Sequence, residues 1–329
     1  MQILVLGGTV FLGHTVATVA RDAGHEVTCL ARGESGGLPE GVRHVVAERS
    51  APGAYDAVRE QDWDAVVDVS WQPGFVRGAL TALAPRTRHW TYVSSCSVYA
   101  TQDTPGADES APLLAPLAAD EATREEYGEA KAACEAACLE ALADRLHVAR
   151  AGLIAGPGDR SDRLGYWPGR FARGGDVLVP AEDQATQVID VRDLATFLLA
   201  VAERGDALVA NAVGARLRLQ DVLATAREVA GHDVEPVRAD DNWLVDQGVE
   251  PYMGDESLPL WIPLPGWEGF NDRGDARAVA AGLRRRPIAD TLADVLADER
   301  RLGLDRHPRR AGLSPAREAE LVAAWRSRS

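Results

Sequence analysis

Through the first half of the chain, short runs of apolar residues alternate with longer stretches whose apolar positions recur every three to four residues. The short runs are Ile3–Leu6, His25–Leu30, Val42–Ala47, Trp63–Val69, His89–Ser94 and Val148–Ile154. Their length and their wealth of Val, Ile, Leu and aromatic residues predict strands. Among them, His14–Ala23, Gly53–Glu60, Phe75–Ala84 and Glu121–Leu142 carry helical spacing. Strands that are apolar almost throughout, rather than at alternate positions, are buried on both faces. Interleaved with helices, they predict a doubly wound α/β fold around a parallel sheet.

The pattern changes after Ile154. Ala155-Gly156-Pro157-Gly158 ends the last long run, and a polar and aromatic stretch follows from Asp159 to Trp167. Val188–Asp190 and Val191–Glu203 read as a strand and a helix, and Leu208–Ala212 as one more strand of the main sheet. From Leu217 onward the elements shorten. Helices are expected at Leu219–Ala230, near Asp275–Gly282 and at Ile288–Leu302, around a Pro- and Trp-rich section from Trp243 to Phe270. A last helix opens with Ser314 as N-cap and Pro315 in its first position. The expected division is a first domain of residues 1–155 plus about 186–213, and a smaller C-terminal α/β lobe of residues 156–185 plus 214–329.

Composition narrows the class. With 329 residues, 46% of them apolar, the chain can build a full core without staples. A net charge of −15 argues against a nucleic-acid or anionic-membrane partner. No apolar run approaches a membrane span, and the start of the chain lacks the basic segment and long apolar stretch of a secretory leader. Cys29, Cys96, Cys134 and Cys138 fall in strand- and helix-like segments without metal-ligand spacing. They read as reduced thiols of a cytoplasmic protein, with no metal site expected.

The candidate chemistry begins at residue 3. The strand Ile3–Leu6 stops at Gly7-Gly8, and Thr9-Val10-Phe11-Leu12-Gly13 leads into the next helix. An apolar strand, a tight glycine turn and a helix bring free N–H groups and a helix dipole up to a phosphate. On this reading Gly7 allows the turn, Gly8 lets the backbone approach the ligand, and Gly13 lets helix and strand pack closely. Further along, Tyr127 and Lys131 stand four apart on a helix and share one face. The ammonium stabilises a phenolate beside it, so the tyrosine can give or take a proton near neutral pH. Ser94-Ser95-Cys96-Ser97-Val98-Tyr99 lies just past the C-terminal end of a parallel strand, where open α/β sheets place their sites. A serine hydroxyl there can hold a substrate oxygen beside the tyrosine.

These segments, together with Gly152-Leu153-Ile154-Ala155-Gly156-Pro157-Gly158, resemble those of the extended or atypical short-chain dehydrogenases/reductases, of the NAD-dependent epimerase/dehydratase kind. The resemblance covers nearly the whole chain. It implies a Rossmann sheet that binds a dinucleotide and a C-terminal lobe that binds substrate. It also implies that Tyr127 is the catalytic acid/base, that Lys131 holds the nicotinamide ribose and tunes the tyrosine, and that Ser95 hydrogen-bonds the reacting oxygen, with Ser94 the runner-up. Cofactor contacts are implied along Gly7, Gly8, Thr9, Val10, Phe11, Leu12 and Gly13. Val10 stands where the family usually has glycine and adds a side chain near the pyrophosphate. Glu48 and Arg49, after the third strand, are placed near the adenine, and Asp68, Val69 and Ser70, after the fourth, along the cofactor. NAD users put an acidic side chain at the end of the second strand, where it accepts from the ribose 2′-hydroxyl. Here Ala31 and Arg32 occupy that place, and a guanidinium pairs with a 2′-phosphate. NADP(H) is therefore the expected cofactor and NAD(H) the alternative.

The expected activity is hydride transfer to or from a carbonyl or hydroxyl of a small molecule, a sugar or a secondary metabolite, by an NADP(H)-dependent oxidoreductase. Two alternatives stay open: a nucleotide-sugar epimerase or dehydratase that keeps its NAD(P) bound, and a non-catalytic dinucleotide-binding scaffold or sensor. A dehydratase generally has an acidic pair beside the serine, and Cys96 and Ser97 stand there instead. Arg160, Arg163, Arg170, Arg173, Arg216 and Arg218 are candidates for a diphosphate clamp, with no single one assigned. Tyr166, Trp167, Trp243, Tyr252, Trp261, Trp267 and Phe270 either line an apolar pocket or form the core of the lobe. The stretch Asp159–Pro168 is expected to overhang the cleft, and the acidic loop Asp103–Glu126 to form another wall. Small residues from Ala132 to Cys138 allow close helix packing, in a homodimer or within one chain.

Overall fold

Ile3 and Val5 turn to one face of strand β1 (Gln2–Leu6), Leu4 and Leu6 turn to the other, and all four are buried. A strand that is apolar on both faces needs cover on both, and this sets the layers of the protein. The computed structural model describes residues 1–34, 36–306 and 308–328. After β1 come β2 (Glu26–Ala31), β3 (Arg43–Val46), β4 (Trp63–Asp68), β5 (Thr87–Ser95), β6 (Leu146–Ala151), β7 (Leu153–Ala155), β8 (Leu178–Pro180), β9 (Ala185–Asp190) and β10 (Leu208–Ala212). Seven of these form one parallel sheet in the order β10-β6-β5-β4-β1-β2-β3. The chain runs outward from β1 through β2 to β3, then returns to the other side of β1 at β4. Ligands of open α/β sheets bind beyond the strand ends at such a reversal.

The helices of this half are α1 (Phe11–Asp22), α2 (Pro73–Leu83), α3 (Tyr127–Leu142), α4 (Tyr166–Ala172) and α5 (Val191–Arg204). Helices α1 and α5 share a core with Ile3 and Val5 on one face, while α2 and α3 share one with Leu4 and Leu6 on the other. Helix α4 belongs to a second core, with α6 (Leu219–Ala230), α7 (Asp241–Asp246), α9 (Ile288–Leu302) and α10 (Pro315–Arg326). The short α8 (Ala276–Ala280) returns to the first core through Ala278. Strand β9 joins the two: Val188 packs in the second core and Ile189 in the first. Ser314 caps α10, its hydroxyl accepting from Arg317 N at 3.2 Å. Among the described residues no helix is long and apolar enough to cross a membrane.

Among the elements that differ from the sequence reading, three have a clear physical reason. Val148–Ile154 is not one strand. Pairing with β10 ends at Ala151 opposite Ala212, Gly152 follows, and Leu153–Ala155 leaves to pair with β9. The helix expected from Glu121 starts at Tyr127, because the backbone at Ala122 is held by the Gln72 side chain (3.0 and 2.8 Å) and Thr123 N by Glu126 (2.9 Å). Gly53–Glu60 is a chain of turns, opened by Gly53 at φ +72 and carried by backbone bonds such as Asp56 N to Gly53 O and Val58 N to Tyr55 O.

Candidate active site

Gly7 has φ +97, and a β-carbon there would meet Val69 at 2.8 Å, so the turn after β1 needs glycine. Helix α1 begins at Phe11, earlier than the expected His14, and Gly13 falls in its first turn. A β-carbon on Gly13 would lie 2.2 Å from Gly7 O, which is how closely helix and loop pack. Gly13→Ala is therefore expected to cost about 1–3 kcal/mol of stability by overpacking and to abolish dinucleotide binding. Thermal melting and a nicotinamide fluorescence titration check this, and a variant that still binds would overturn it. A β-carbon on Gly8 would lie 2.3 Å from Cys29 Sγ, so glycine there also lets the loop lie against β2. Val10, half exposed, precedes α1 in extended conformation without a side-chain cap, and the first turn holds no acid. The N–H groups there are thus open to an anion.

A groove of about 240 Å³ runs from this loop past the ends of β2, β3 and β4. It brings together Gly7, Thr9, Val10, Arg32, Glu48, Arg49, Val69 and Ser70. The Arg32 guanidinium, itself exposed, stands 3.7 Å from Glu48 and 3.8 Å from Glu34. Arg49 is in the floor. Its five donors go to Tyr55 OH, both oxygens of Asp68, Ser70 Oγ and Phe75 O, which leaves none for an adenine. Asp68 is wholly buried beneath it. Burial would push its carboxyl up, but the charge and hydrogen bonds of Arg49 outweigh that and hold it below the usual carboxylate range.

Next to the groove lies a cavity of about 910 Å³, and Ser95, Tyr127 and Phe11 all line it. Ser95 ends β5, and its Oγ accepts from Ser97 N and donates to Ser97 Oγ, both at 3.1 Å. Ser94 faces away: its hydroxyl is buried and has no partner among the described residues. Tyr127 is the first residue of α3, its ring 5.6 Å from that of Trp71. One turn on, the buried Lys131 donates from Nζ to Ser70 O (2.8 Å) and Val93 O (2.6 Å). It lies 6.0 Å from the Tyr127 ring centre and 4.9 Å from that of Tyr92. An ammonium has three donors, and one remains. The groove, the open helix end and this spare donor fit an extended dinucleotide.

Behind the site, Arg150 holds Glu135 of α3 at 2.8 Å and donates to Tyr99 OH at 3.2 Å, all three buried. This ties the helix of Tyr127 and Lys131 to the turn that follows Ser95. Burial pushes the neighbouring Cys96 thiol up to about 12, so it is a neutral packing group.

The opposite wall comes from the later part of the chain. Asp159, Ser161 and Arg163 overhang the cavity, in keeping with the sequence reading. Burial pushes the Asp159 carboxyl up, against two bonds from Ser161 at 2.8 and 2.9 Å and the charge of Arg163. Arg163 lies over the Tyr252 ring at 5.4 Å. Of the six arginines singled out in the sequence it alone lines this cavity, joined by Arg124 and Arg310. None of these three guanidinium groups makes an ion pair with a carboxylate among the described residues, though the backbone N–H of Arg310 donates to Asp162 at 2.8 Å. The other five meet acids: Arg160 at Asp298, Arg170 and Arg173 at Glu318, Arg216 at Asp272, Arg218 at Asp183. The aromatics divide likewise. Tyr166, Trp167, Trp243 and Trp261 are core, Tyr252 and Phe270 line the cavity, and Trp267 packs on Phe270 from outside. Arg310, Asn271 and Gln187 were not legible as wall residues, because no local pattern marks a contact made across such long stretches of chain.

Residues 3–213 match the model of the NAD dependent epimerase/dehydratase family. The chain belongs to that family, and is an NAD(P)-dependent enzyme of the short-chain dehydrogenase/reductase type. No curated protein sequence matches it significantly. Among solved structures, one from Burkholderia cenocepacia superposes with a TM-score of 0.71 at 20% identity, covering 91% of this chain and 98% of the other. The UDP-glucuronic acid 4-epimerase of Bacillus cereus, in complex with NAD, gives 0.66 at 13% identity, covering 92% and 99%. The UDP-glucose 4-epimerase of Thermotoga maritima, with UDP-glucose, gives 0.65 at 16%, covering 92% and 99%. At these identities the likeness is one of fold.

Proposed function

We propose that the protein moves a hydride between a nicotinamide dinucleotide and the carbinol or carbonyl carbon of an anionic, sugar-type small molecule. The observation that carries this reading is the meeting of Ser95 and Tyr127 in one cavity, with Lys131 beneath and the glycine-loop groove alongside. When bound, the nicotinamide supplies or accepts the hydride. The Ser95 hydroxyl turns its proton from Ser97 Oγ to the reacting oxygen. The Tyr127 hydroxyl gives or takes its proton. The spare donor of Lys131 goes to the ribose. Arg124, Arg163 and Arg310, whose guanidinium groups make no ion pair among the described residues of a chain of net charge −15, suit a phosphate or diphosphate. Nucleotide sugars carry that group, and two of the structural neighbours are named for them.

Arg32 supports NADP(H), since its guanidinium can take a 2′-phosphate. A second reading rests on Glu34 and Glu48, which flank it: these carboxylates can accept from a 2′-hydroxyl, and the neighbour from Bacillus cereus was solved with NAD. Titration with NADPH and NADH by fluorescence decides between them. Tighter NADPH binding that weakens about tenfold or more in Arg32→Ala fits the loss of one charge-assisted pair. Tighter NADH binding, weakened in Glu48→Gln instead, makes the 2′-hydroxyl reading correct. The preferred cofactor is then mixed with UDP-glucose or UDP-glucuronic acid. Net change in nicotinamide absorbance marks a dehydrogenase, an inverted sugar carbon without net change marks an epimerase, and no product from either sugar overturns the nucleotide-sugar assignment.

A further inference from the structure

We propose that Asn271 determines specificity in this site, its side-chain amide donating a hydrogen bond to an acceptor oxygen of the substrate away from the reacting carbon. The inference rests on the reading of the 910 Å³ cavity as the substrate cavity.

The segment Phe270–Arg273 forms part of the cavity's rear wall, and its backbone is held on both sides. Arg273 N donates to Gln187 Oε1 at 2.8 Å, Gly269 N to Gln102 O at 2.7 Å, and Gly106 N to Asp272 O at 2.6 Å. Its side chains are committed as well. Phe270 packs edge-on to Tyr252 at 5.3 Å, Asp272 pairs with Arg216 at 2.6 Å, and the Arg273 guanidinium lies 4.3 Å over the Tyr99 ring. Asn271 Nδ2 and Arg273 Nε are the buried donors of this segment without an acceptor among the described residues, and of these two residues only Asn271, 7% exposed, lines the cavity, where a turn of its amide presents the donor. A buried donor without an acceptor lowers stability, so a native fold that keeps one in the wall of a cavity calls for a ligand that satisfies it. Gln187, the other carboxamide of that wall, is not available: its Nε2 donates to Gly214 O and Arg273 O, and its Oε1 is taken.

Asn271 also lines a second cavity, of about 270 Å³, beside Trp267 and Arg216. The side chain is thus a partition. It reads an oxygen on the substrate and limits how far a substituent extends past it. The group it selects is an oxygen acceptor such as a hydroxyl, carbonyl or phosphoryl, and a substrate with a bare methylene at that position is discriminated against.

The test compares Asn271→Leu, which loses the whole amide, with Asn271→Asp, which keeps the shape but puts a charged acceptor in place of the donor. Each is assayed on UDP-glucose with the preferred cofactor and each is melted. The expected result is a fall in kcat/KM of about tenfold or more in both, carried mainly by KM, as for a lost hydrogen bond in a polar site. The melting temperature of Asn271→Leu stays level or rises, because an amide that bonds nothing in the free protein contributes nothing to its fold. A kcat/KM within twofold of wild type in either variant overturns the proposal. So does a fall in the melting temperature of Asn271→Leu, which places the amide's partner inside the protein. If the wild type does not turn over UDP-glucose, the substrate class proposed above has failed. The Asn271 inference is then decided by the melting comparison together with the best substrate from a screen of hydroxy and keto compounds.

Discussion

Tyr127→Phe is expected to lower kcat by about 10²–10⁴-fold, the usual worth of a positioned acid/base, while leaving dinucleotide binding and melting temperature unchanged. The substitution removes one oxygen and keeps the ring. The ring is what Trp71 packs against at 5.6 Å and what stands over Lys131 at 6.0 Å. The donors that hold Lys131 go to the main chain at Ser70 and Val93, not to the tyrosine, so the ammonium stays in place. Lys131→Met should behave differently. It takes the Nζ donor from Val93 O and from Ser70 O, which keeps only Tyr92 OH at 3.1 Å, and it removes the spare N–H, so melting temperature, dinucleotide affinity and kcat all fall together. Steady-state kinetics, a binding titration and a melt on both variants separate the two roles. Should Tyr127→Phe retain more than half of wild-type kcat, the proton passes through another group.

The sheet was legible because its strands are apolar on both faces: the unbroken run of Ile3, Leu4, Val5 and Leu6 by itself demands two covering layers. Helices with a marked apolar stripe and a clear end, such as Leu219–Ala230 and Ile288–Leu302, run between the same residues as expected. What the chain hides is where a pattern is interrupted by a distant partner. Nothing local to Ala122 says that Gln72 takes its backbone bonds and keeps α3 from starting before Tyr127. Gly152 reads as one residue of a strand, yet the strand changes sheets there because its neighbour β10 has ended.

The site divides in the same way. Residues fixed by a local turn or by helix spacing were readable: the turn at Gly7, the close approach at Gly13, and the pair Tyr127 and Lys131 on one face of α3. Residues whose role depends on a long-range contact were not. Arg49 follows β3 and Asp68 ends β4, both near the groove, so each reads alone as a cofactor ligand, and only folding shows that they consume one another. Gly8 reads as a phosphate-loop glycine, and only the fold shows that Cys29 on the next strand also needs a glycine there. The rear wall with Asn271 lies far from Tyr127 in sequence, in a loop without periodicity.

That buried pair of Arg49 and Asp68 leads to the second large effect. Arg49→Met leaves the wholly buried Asp68 carboxylate without its cation, and breaking such a pair from one side costs about 3–5 kcal/mol. The pH dependence gives the cause away. In the wild type Asp68 titrates below its unfolded value, so its contribution is complete above the ordinary carboxylate range and is lost as pH falls through the lower folded value. Without Arg49, burial remains and pushes the carboxyl up instead. The folded variant then prefers the protonated acid, and its deficit grows as pH rises through and beyond the unfolded value. Urea unfolding should therefore show the largest loss at neutral pH and a smaller one near pH 4, about the unperturbed carboxylate value. Adding Asp68→Asn to Arg49→Met should recover part of the neutral-pH loss. A deficit of equal size at both pH values would place the damage elsewhere, in the released Tyr55 hydroxyl and Phe75 carbonyl that Arg49 also holds. Because Ser70 bonds Arg49 through its hydroxyl and Lys131 through its carbonyl, the same variant should also weaken dinucleotide binding.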